Sequence, residues 1–139
     1  MDKDRRSFFK QLLVMGAASL GALRATKGLA AVRNEEPARQ AYMISLFYVA
    51  GFKYYQGPSL VRKMREEDPV TMVMEPQNPY DPFAVRLEWN GEKIGYIPRT
   101  ENGVVNSLLQ QEAPLQGFIY QVNPKADPWE AVMVEVLMV

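Results

Sequence analysis

A chain of 139 residues has room for one domain, and its composition is that of an ordinary globular protein. Cysteine and histidine are both absent, which excludes disulfides, thiolate nucleophiles and the usual Cys/His zinc sites, and removes the commonest general base. The 16 basic and 16 acidic residues cancel, but six of the basic and only two of the acidic ones precede residue 32, so the remainder carries a net charge of −4. We therefore expect no metal ion or cofactor, and any binding of nucleic acid would need a local basic or aromatic patch.

The first 30 residues have the order of regions that is typical of an export signal. A basic stretch precedes an apolar run over residues 12–23, and the small residues Gly28 and Ala30 follow as a cleavage zone. As a helix the run would span roughly 18 Å, which is too short for the roughly 30 Å hydrocarbon core of a membrane. No stable transmembrane span is expected here. The alternative is an amphipathic or disordered cytoplasmic N-terminus.

The basic stretch is Arg-Arg-Ser-Phe-Phe-Lys, and it resembles the twin-arginine export motif with Arg5 and Arg6 as its paired arginines. This resemblance implies a bacterial or archaeal protein that the twin-arginine export machinery carries already folded. The expected location is periplasmic or otherwise extracytoplasmic. The predicted divisions of the chain are a signal peptide over 1–30, a flexible leader over 31–42 and a folded domain over 43–139.

From Met43 onward the sequence has the pattern of short strands. Val85, Leu87 and Trp89 alternate with polar residues, and the dipeptide Asn90-Gly91 that follows is a strong hairpin signal. The predicted strands cover residues 44–51, 70–75, 84–89, 92–97, 115–122 and 131–138.

One helix is predicted between the fourth and fifth of these strands. Thr100 is a plausible N-cap, and the helix is expected to end near Gln111. Its predicted buried stripe consists of Val104, Val105, Leu108 and Leu109. Five or so short strands with one or two short helices predict a mostly β domain, either a small barrel or a sandwich.

Three stretches in this domain stand out: residues 51–57 (Gly-Phe-Lys-Tyr-Tyr-Gln-Gly), residues 75–85 around Asn-Pro-Tyr-Asp, and residues 95–99 (Gly-Tyr-Ile-Pro-Arg). In this order and spacing they resemble the HIRAN domain, over roughly residues 46–138. The resemblance implies a small OB-like β-barrel with flanking helices. It also implies a role known from HIRAN domains of remodelers, which grip the 3′ end of single-stranded DNA.

The ligand-binding residues that this resemblance implies are Lys53, Tyr54, Tyr55, Asn78, Tyr80, Asp81, Tyr96 and Arg99. The first three would supply stacking and phosphate contacts, and the next three would shape the pocket and accept from the terminal hydroxyl. Lys53, Tyr96 and Arg99 stand where the DNA-binding members have Arg, His and Lys. These departures keep charge and aromaticity and leave the 3′-end specificity open.

The same residues can be interpreted without the family. Adjacent tyrosines beside a cation form a stacking platform, worth about 1–3 kcal/mol per stacked base, and Asp81 can accept a hydrogen bond from a sugar hydroxyl. Structural roles are the alternative. If the segment is extended, only one of Tyr54 and Tyr55 can face away from the core, and residues 78–82 are equally a turn held by Asx hydrogen bonds.

Three functions remain open at this point. The first is a non-catalytic module that binds nucleic acid, as the resemblance implies. The second is an exported envelope domain that uses the same groove for a glycan or peptide, because OB-type surfaces also accept oligosaccharides. An enzyme is the third and least favoured reading, since the chain has no His, no Cys and no phosphate-binding loop.

Overall fold

The computed structural model describes residues 40–139, of which Met43–Met138 form one compact unit. The predicted signal peptide with Arg5 and Arg6, and nearly all of the predicted leader, lie outside the described residues, so those assignments stay predictions. The strands are β1 (Tyr42–Tyr48), β2 (Pro69–Met74), β3 (Val85–Trp89), β4 (Glu92–Tyr96), β5 (Leu115–Val122) and β6 (Val132–Met138). The helices are α1 (Gly57–Leu60) and α2 (Arg99–Gln110), with single 3-10 turns at Phe52–Tyr54, Val61–Lys63 and Pro128–Glu130.

The described strands form one six-stranded sheet in the order β1-β6-β5-β2-β3-β4. Antiparallel pairing joins β2 to β3, β2 to β5, β3 to β4 and β5 to β6. Just beyond β1, Ala50 and Tyr96 exchange backbone hydrogen bonds of 2.8 and 2.9 Å, so the chain touches the far edge of the sheet. The prediction of a mostly β fold with one or two short helices is confirmed. The sheet is not closed, however, so it is barrel-like at most, and the OB-like character stays a prediction.

A glycine makes this contact between the two edges possible. Gly95 has a φ of +150°, and a Cβ atom there would lie 2.4 Å from the carbonyl oxygen of Ala50. That is far inside van der Waals contact, so a larger residue would push the two segments apart. Ala50 and Tyr96, which this close approach allows to pair, both line the cleft described below.

The hairpin between β3 and β4 follows the sequence pattern closely. Val85 and Leu87 are fully buried in the core together with Ile94. Asn90 and Gly91 have positive φ values of 50° and 81°, as a two-residue hairpin turn requires. This part of the strand prediction is confirmed.

The helix prediction is wrong in two details. Pro98, with extended backbone angles, is the residue that precedes α2, so Thr100 lies inside the first turn and is not the N-cap. Val104 is 60% exposed, whereas Asn102 and Asn106 are buried on either side of Val105. The two asparagines face inward because they hydrogen-bond to the loop 75–84. These contacts fix how the helix is rotated about its own axis. No helix within residues 40–139 has the length and apolarity that a membrane crossing requires.

Candidate functional site

A cleft of about 750 Å³ lies between the loop 75–84, the end of β4 and the start of α2. Its walls are formed by Ala50, Tyr55, Glu75, Pro76, Gln77, Asn78, Pro79, Tyr80, Asp81, Ala84, Tyr96, Ile97, Arg99 and Asn102. The three stretches that carried the resemblance in the sequence therefore meet at one place. Although they are separated along the chain, the antiparallel sheet brings them together.

The loop 75–84 is held in shape by its own side chains. The Oδ1 atom of Asn78 accepts hydrogen bonds from the backbone N–H groups of Tyr80 (2.9 Å) and Asp81 (3.2 Å). The Oδ1 atom of Asp81 accepts from the N–H of Phe83 at 2.9 Å. These are Asx-type bonds, in which a short polar side chain fixes the backbone two or three residues ahead. The loop is therefore pre-shaped, with the ring of Tyr80 at its outer end and 84% of that residue exposed.

Helix α2 anchors the loop from the other side. Asn102 donates from Nδ2 to Oδ2 of Asp81 at 2.7 Å, and Asn106 donates from Nδ2 to the carbonyl oxygen of Phe83 at 3.1 Å. Arg99 donates to the carbonyl oxygen of Tyr80 at 3.1 Å, and its Nε lies 3.9 Å from Asp81. Both oxygens of Asp81 thus have structural partners, while the Arg99 side chain remains 73% exposed at the rim of the cleft.

Below the cleft, a lysine on β4 organises two of the aromatic rings. The Lys93 Nζ lies 4.0 Å from the centroid of the Tyr55 ring and donates a 2.7 Å hydrogen bond to Oη of Tyr96. The Tyr96 hydroxyl donates in turn to Oε1 of Glu75 at 2.7 Å. The two rings meet edge to face with their centroids 5.7 Å apart. A cation, two aromatic rings and a carboxylate therefore form one connected cluster.

Glu75 joins this cluster to the loop and to β3. Its Oε1 also accepts from Nδ2 of Asn78 at 3.0 Å, and its Oε2 pairs with Arg86 at 2.7 Å. Burial opposes the ionisation of Glu75, but the hydrogen bonds from Tyr96, Asn78 and Arg86 and the charge of Lys93 outweigh it. The pKa of Glu75 is therefore held below its ordinary value.

The pKa values of the neighbours of Glu75 are shifted in the direction that preserves the hydrogen bonds of the cluster. Burial and the hydrogen bond to Glu75 raise the pKa of the Tyr96 phenol, against the opposing effect of Lys93. The pKa of Lys93 is raised because its hydrogen bond to Tyr96 and the nearby negative charge outweigh burial. At neutral pH the cluster therefore contains an ammonium ion, a neutral phenol and a carboxylate.

Six of the eight residues that the sequence pointed to line this cleft. They are Tyr55, Asn78, Tyr80, Asp81, Tyr96 and Arg99. Lys53 and Tyr54 do not line it, because residues 52–54 form a 3-10 turn rather than an extended strand. Phe52 is the buried member of that turn, and Tyr54 is 77% exposed, so neither tyrosine of the pair is a core residue.

Three residues of the site escaped the sequence analysis: Glu75, Lys93 and Asn102. Asn102 could have been found from the helical pattern, since Asn102, Val105 and Asn106 share one face at positions i, i+3 and i+4. Glu75 and Lys93 gave no comparable signal, because their roles depend on contacts between separate segments. Among residues 40–139, no cluster of acidic side chains is arranged to hold a metal ion.

The model of the HIRAN domain family matches residues 44–139. The chain belongs to the HIRAN domain family. Its fold is similar to the crystal structure of the HIRAN domain of human HLTF, with a TM-score of 0.54 and 18% identity over 70% of this chain and 78% of that chain. It is also similar to the crystal structure of a protein from Lactobacillus plantarum, with a TM-score of 0.59 and 23% identity over 71% of this chain and 97% of that chain. No curated protein matches the sequence significantly.

The family assignment made from the sequence is therefore confirmed. At these identities the solved structures show that the fold is shared and nothing more. In this HIRAN domain the cleft is bounded by the loop 75–84, by Ala50 and Tyr55 on either side of the turn region 51–54, and by the junction of β4 with α2.

Proposed function

We propose that this HIRAN domain is a non-catalytic module that binds single-stranded nucleic acid in the cleft. One observation carries the proposal: Tyr55, Tyr80 and Tyr96 come from three separate segments and meet at one cleft, with Arg99 at its rim. Aromatic faces beside a cation are the features with which small β domains hold single strands. The role that the family resemblance implies points in the same direction.

The position of Tyr80 suits a base that is splayed out of a strand. Its backbone is fixed by Asn78 on one side and by Arg99 on the other, while its side chain is exposed. Stacking of a base on such a ring is worth about 1–3 kcal/mol and tolerates any base sequence. We therefore expect weak sequence preference.

The charges around the cleft favour a small number of phosphate contacts. Arg99 is the exposed cation at the rim, whereas Glu75 is already paired with Arg86. The net charge of −4 over residues 32–139 gives no general attraction to a polyanion. Each neutralised phosphate steepens the slope of log affinity against log salt concentration by about 0.9 for duplex DNA and about 0.7 for single strands. Because few phosphates would be contacted, we expect this salt slope to be shallow.

Asp81 supports a preference for a 3′ end that carries a free hydroxyl. Its side chain is 17% exposed, and a carboxylate oxygen can accept a further hydrogen bond beside the ones it has. The same carboxylate would repel a terminal phosphate. The glycan or peptide alternative has no comparable support among the contacts of the cleft.

The proposal includes an extracytoplasmic location for the folded domain. It rests on the resemblance of residues 5–10 to the twin-arginine motif and on the apolar run that follows. A bound single strand would then be one that is present outside the cytoplasm.

The binding proposal is tested with the full chain and a fluorescently labelled short single strand, by anisotropy at low salt. Tyr80→Ala should weaken binding about 5- to 140-fold, and Tyr80→Phe should preserve most of it. Tyr48→Ala is the matched control, because Tyr48 is an exposed tyrosine on β1 that does not line the cleft. Absence of any binding by the wild-type chain, or equal losses in Tyr80→Ala and Tyr48→Ala, would refute the proposal.

A further inference from the structure

A tight turn opens the loop that forms one wall of the cleft. The N–H of Asn78 donates to the carbonyl oxygen of Glu75 at 3.0 Å and closes this turn. Pro76 and Gln77 are its two central residues. The ring of Pro76 fixes its own φ, and Pro79 restricts the backbone of the residue that precedes it. Gln77, which is exposed and lines the cleft, therefore has a restrained backbone on both sides.

Most polar side chains of the cleft wall already have partners within the fold. The amide of Asn78 accepts from two backbone N–H groups and donates to Glu75. Asn102 donates to the loop, and the hydroxyl of Tyr96 both accepts and donates a hydrogen bond. Within residues 40–139, Gln77 is the one amide side chain of the wall that has no hydrogen-bond partner. Its donor and its acceptor are therefore both available to a ligand.

We propose that Gln77 hydrogen-bonds to the edge of a base that is held in the cleft, and that the base it prefers is adenine. This inference rests on the proposed function. A primary amide offers an N–H donor beside a C=O acceptor, and glutamine pairs in this way with N6 and N7 of adenine. On the same edge guanine presents two acceptors, cytosine a donor and thymine an acceptor. Since the Watson–Crick edge of every base carries a donor next to an acceptor, adenine alone can pair with Gln77 through either edge.

The surroundings of Gln77 do not select a base by themselves. Tyr80 belongs to the same loop, and stacking on its ring tolerates any base. The side chains of Ala84 and Ile97 on the wall have no polar atoms, so they offer a base edge no hydrogen bond. Gln77 also carries no charge. Its removal should therefore change the preference among bases without changing the salt slope.

The test measures the affinity of the full chain for labelled tetranucleotides of deoxyadenosine, deoxycytidine and thymidine by anisotropy. The wild type should bind the deoxyadenosine strand about fivefold more tightly than the thymidine strand, which is the lower end of the discrimination that a bidentate pair gives. Gln77→Ala should remove most of this ratio and leave the melting temperature and the salt slope unchanged. Gln116→Ala is the matched control, because Gln116 is an exposed glutamine on β5 that lies outside the cleft.

A second variant tests the chemistry of the pairing. Gln77→Glu keeps the length of the side chain but replaces the amide by a carboxylate, which has acceptors only. Since a carboxylate accepts from the amino group of cytosine, the affinity for deoxycytidine relative to thymidine should rise in this variant. The added negative charge lowers the affinity for all three strands alike, so the ratio is the measurement. An unchanged ratio would contradict the inference.

The possible failures can be told apart. If none of the three strands binds the wild-type chain, the proposed function itself fails. If the wild type binds all three strands equally, or if Gln77→Ala keeps the preference for deoxyadenosine, the cleft stands and base recognition by Gln77 is refuted. An equal loss for all three strands in Gln77→Ala would also refute it, because Gln77 would then act on the shape of the loop rather than on the base.

Discussion

The ammonium group of Lys93 lies 4.0 Å from the centre of the Tyr55 ring, on the β-strand side of the cleft. A cation over an aromatic face is attracted by about 0.5–2 kcal/mol, depending on how far it is desolvated. Because Lys93 also donates to the hydroxyl of Tyr96, one side chain orients two of the three tyrosines of the site. Lys93 is therefore a positioning residue, although it does not itself line the cleft.

Lys93→Met should lower both stability and affinity. The substitution keeps the aliphatic chain but removes the cation and the hydrogen bond to Tyr96, so we expect a loss of about 1–2 kcal/mol in the free energy of unfolding. Affinity for a single strand should fall about fivefold, since Tyr55 and Tyr96 are no longer held in place. Urea unfolding and anisotropy measure the two effects. Lys53→Met is the control: Lys53 is exposed and outside the cleft, and its loss should leave stability unchanged.

We expect the domain to lose stability in acid, in part because the Glu75 carboxylate becomes protonated. Its pKa is lower in the folded chain than its ordinary value of 4.5. The carboxylate therefore stabilises the fold above about pH 4.5, and that contribution disappears as the pH falls through the lowered pKa. Melting temperatures of the wild type should drop below pH 4.5 more steeply than those of Glu75→Gln. Glu92→Gln, at an exposed position on β4, should follow the wild type. Parallel acid curves for wild type and Glu75→Gln would contradict this.

Replacing either partner of the Asp81–Asn102 hydrogen bond should have a different effect. We expect the change at Asn102 to lower stability and the change at Asp81 to alter ligand discrimination. Asn102→Ala removes the hydrogen bond to the Oδ2 atom of Asp81, to which the longer 3.9 Å contact with Arg99 remains, and should cost about 1–3 kcal/mol of stability. Asp81→Asn should cost less and should reduce discrimination between a 3′-hydroxyl and a 3′-phosphate end, because the repelling carboxylate is gone. The measurement is the ratio of affinities for the two ends. An unchanged ratio together with a lower melting temperature would mean that Asp81 serves the loop alone.

Export is tested at the paired arginines. Replacing Arg5 and Arg6 together with lysine should hold the chain in the cytoplasm, because the motif they resemble requires both arginines. Cell fractionation followed by immunodetection gives the location. The circular dichroism spectrum of the variant should match the wild type, since the predicted signal precedes the folded domain. Normal export of the double variant would show that the twin-arginine assignment is wrong.

The local sequence pattern was sufficient to predict most strands and the family. It was not sufficient to predict the contacts between separate segments that build the cleft. The Asn90-Gly91 turn and the alternation of Val85 and Leu87 depend on neighbours along the chain, and β5 matches its predicted range of 115–122. The exposure of Val104 and the burial of Asn102 depend instead on a loop some 20 residues earlier. Propensity could not reveal that contact, because polar residues face inward only when a partner is present.

The same distinction holds for the residues of the cleft. Tyr55 and Tyr96 were predicted from their motifs, but the motifs gave no sign that Lys93 links their rings. Tyr54 was grouped with Tyr55 because the two are adjacent, and the 3-10 turn separates them. Phe52 is the buried residue of this turn, and its ring packs against Gly57, where a Cβ atom would lie 2.3 Å from the ring.

The central claim is that the cleft itself holds the single strand, and nuclear magnetic resonance tests it most directly. The full chain, labelled with ¹⁵N, is titrated with an unlabelled thymidine oligonucleotide while the backbone amide shifts are followed. We predict that the largest shifts fall on Tyr55, Asn78, Tyr80, Tyr96 and Arg99, and that the amides of the outer face of β1 around Leu46 stay unchanged. Shifts that are confined to β1, or that spare the loop 75–84 at saturation, would contradict the account.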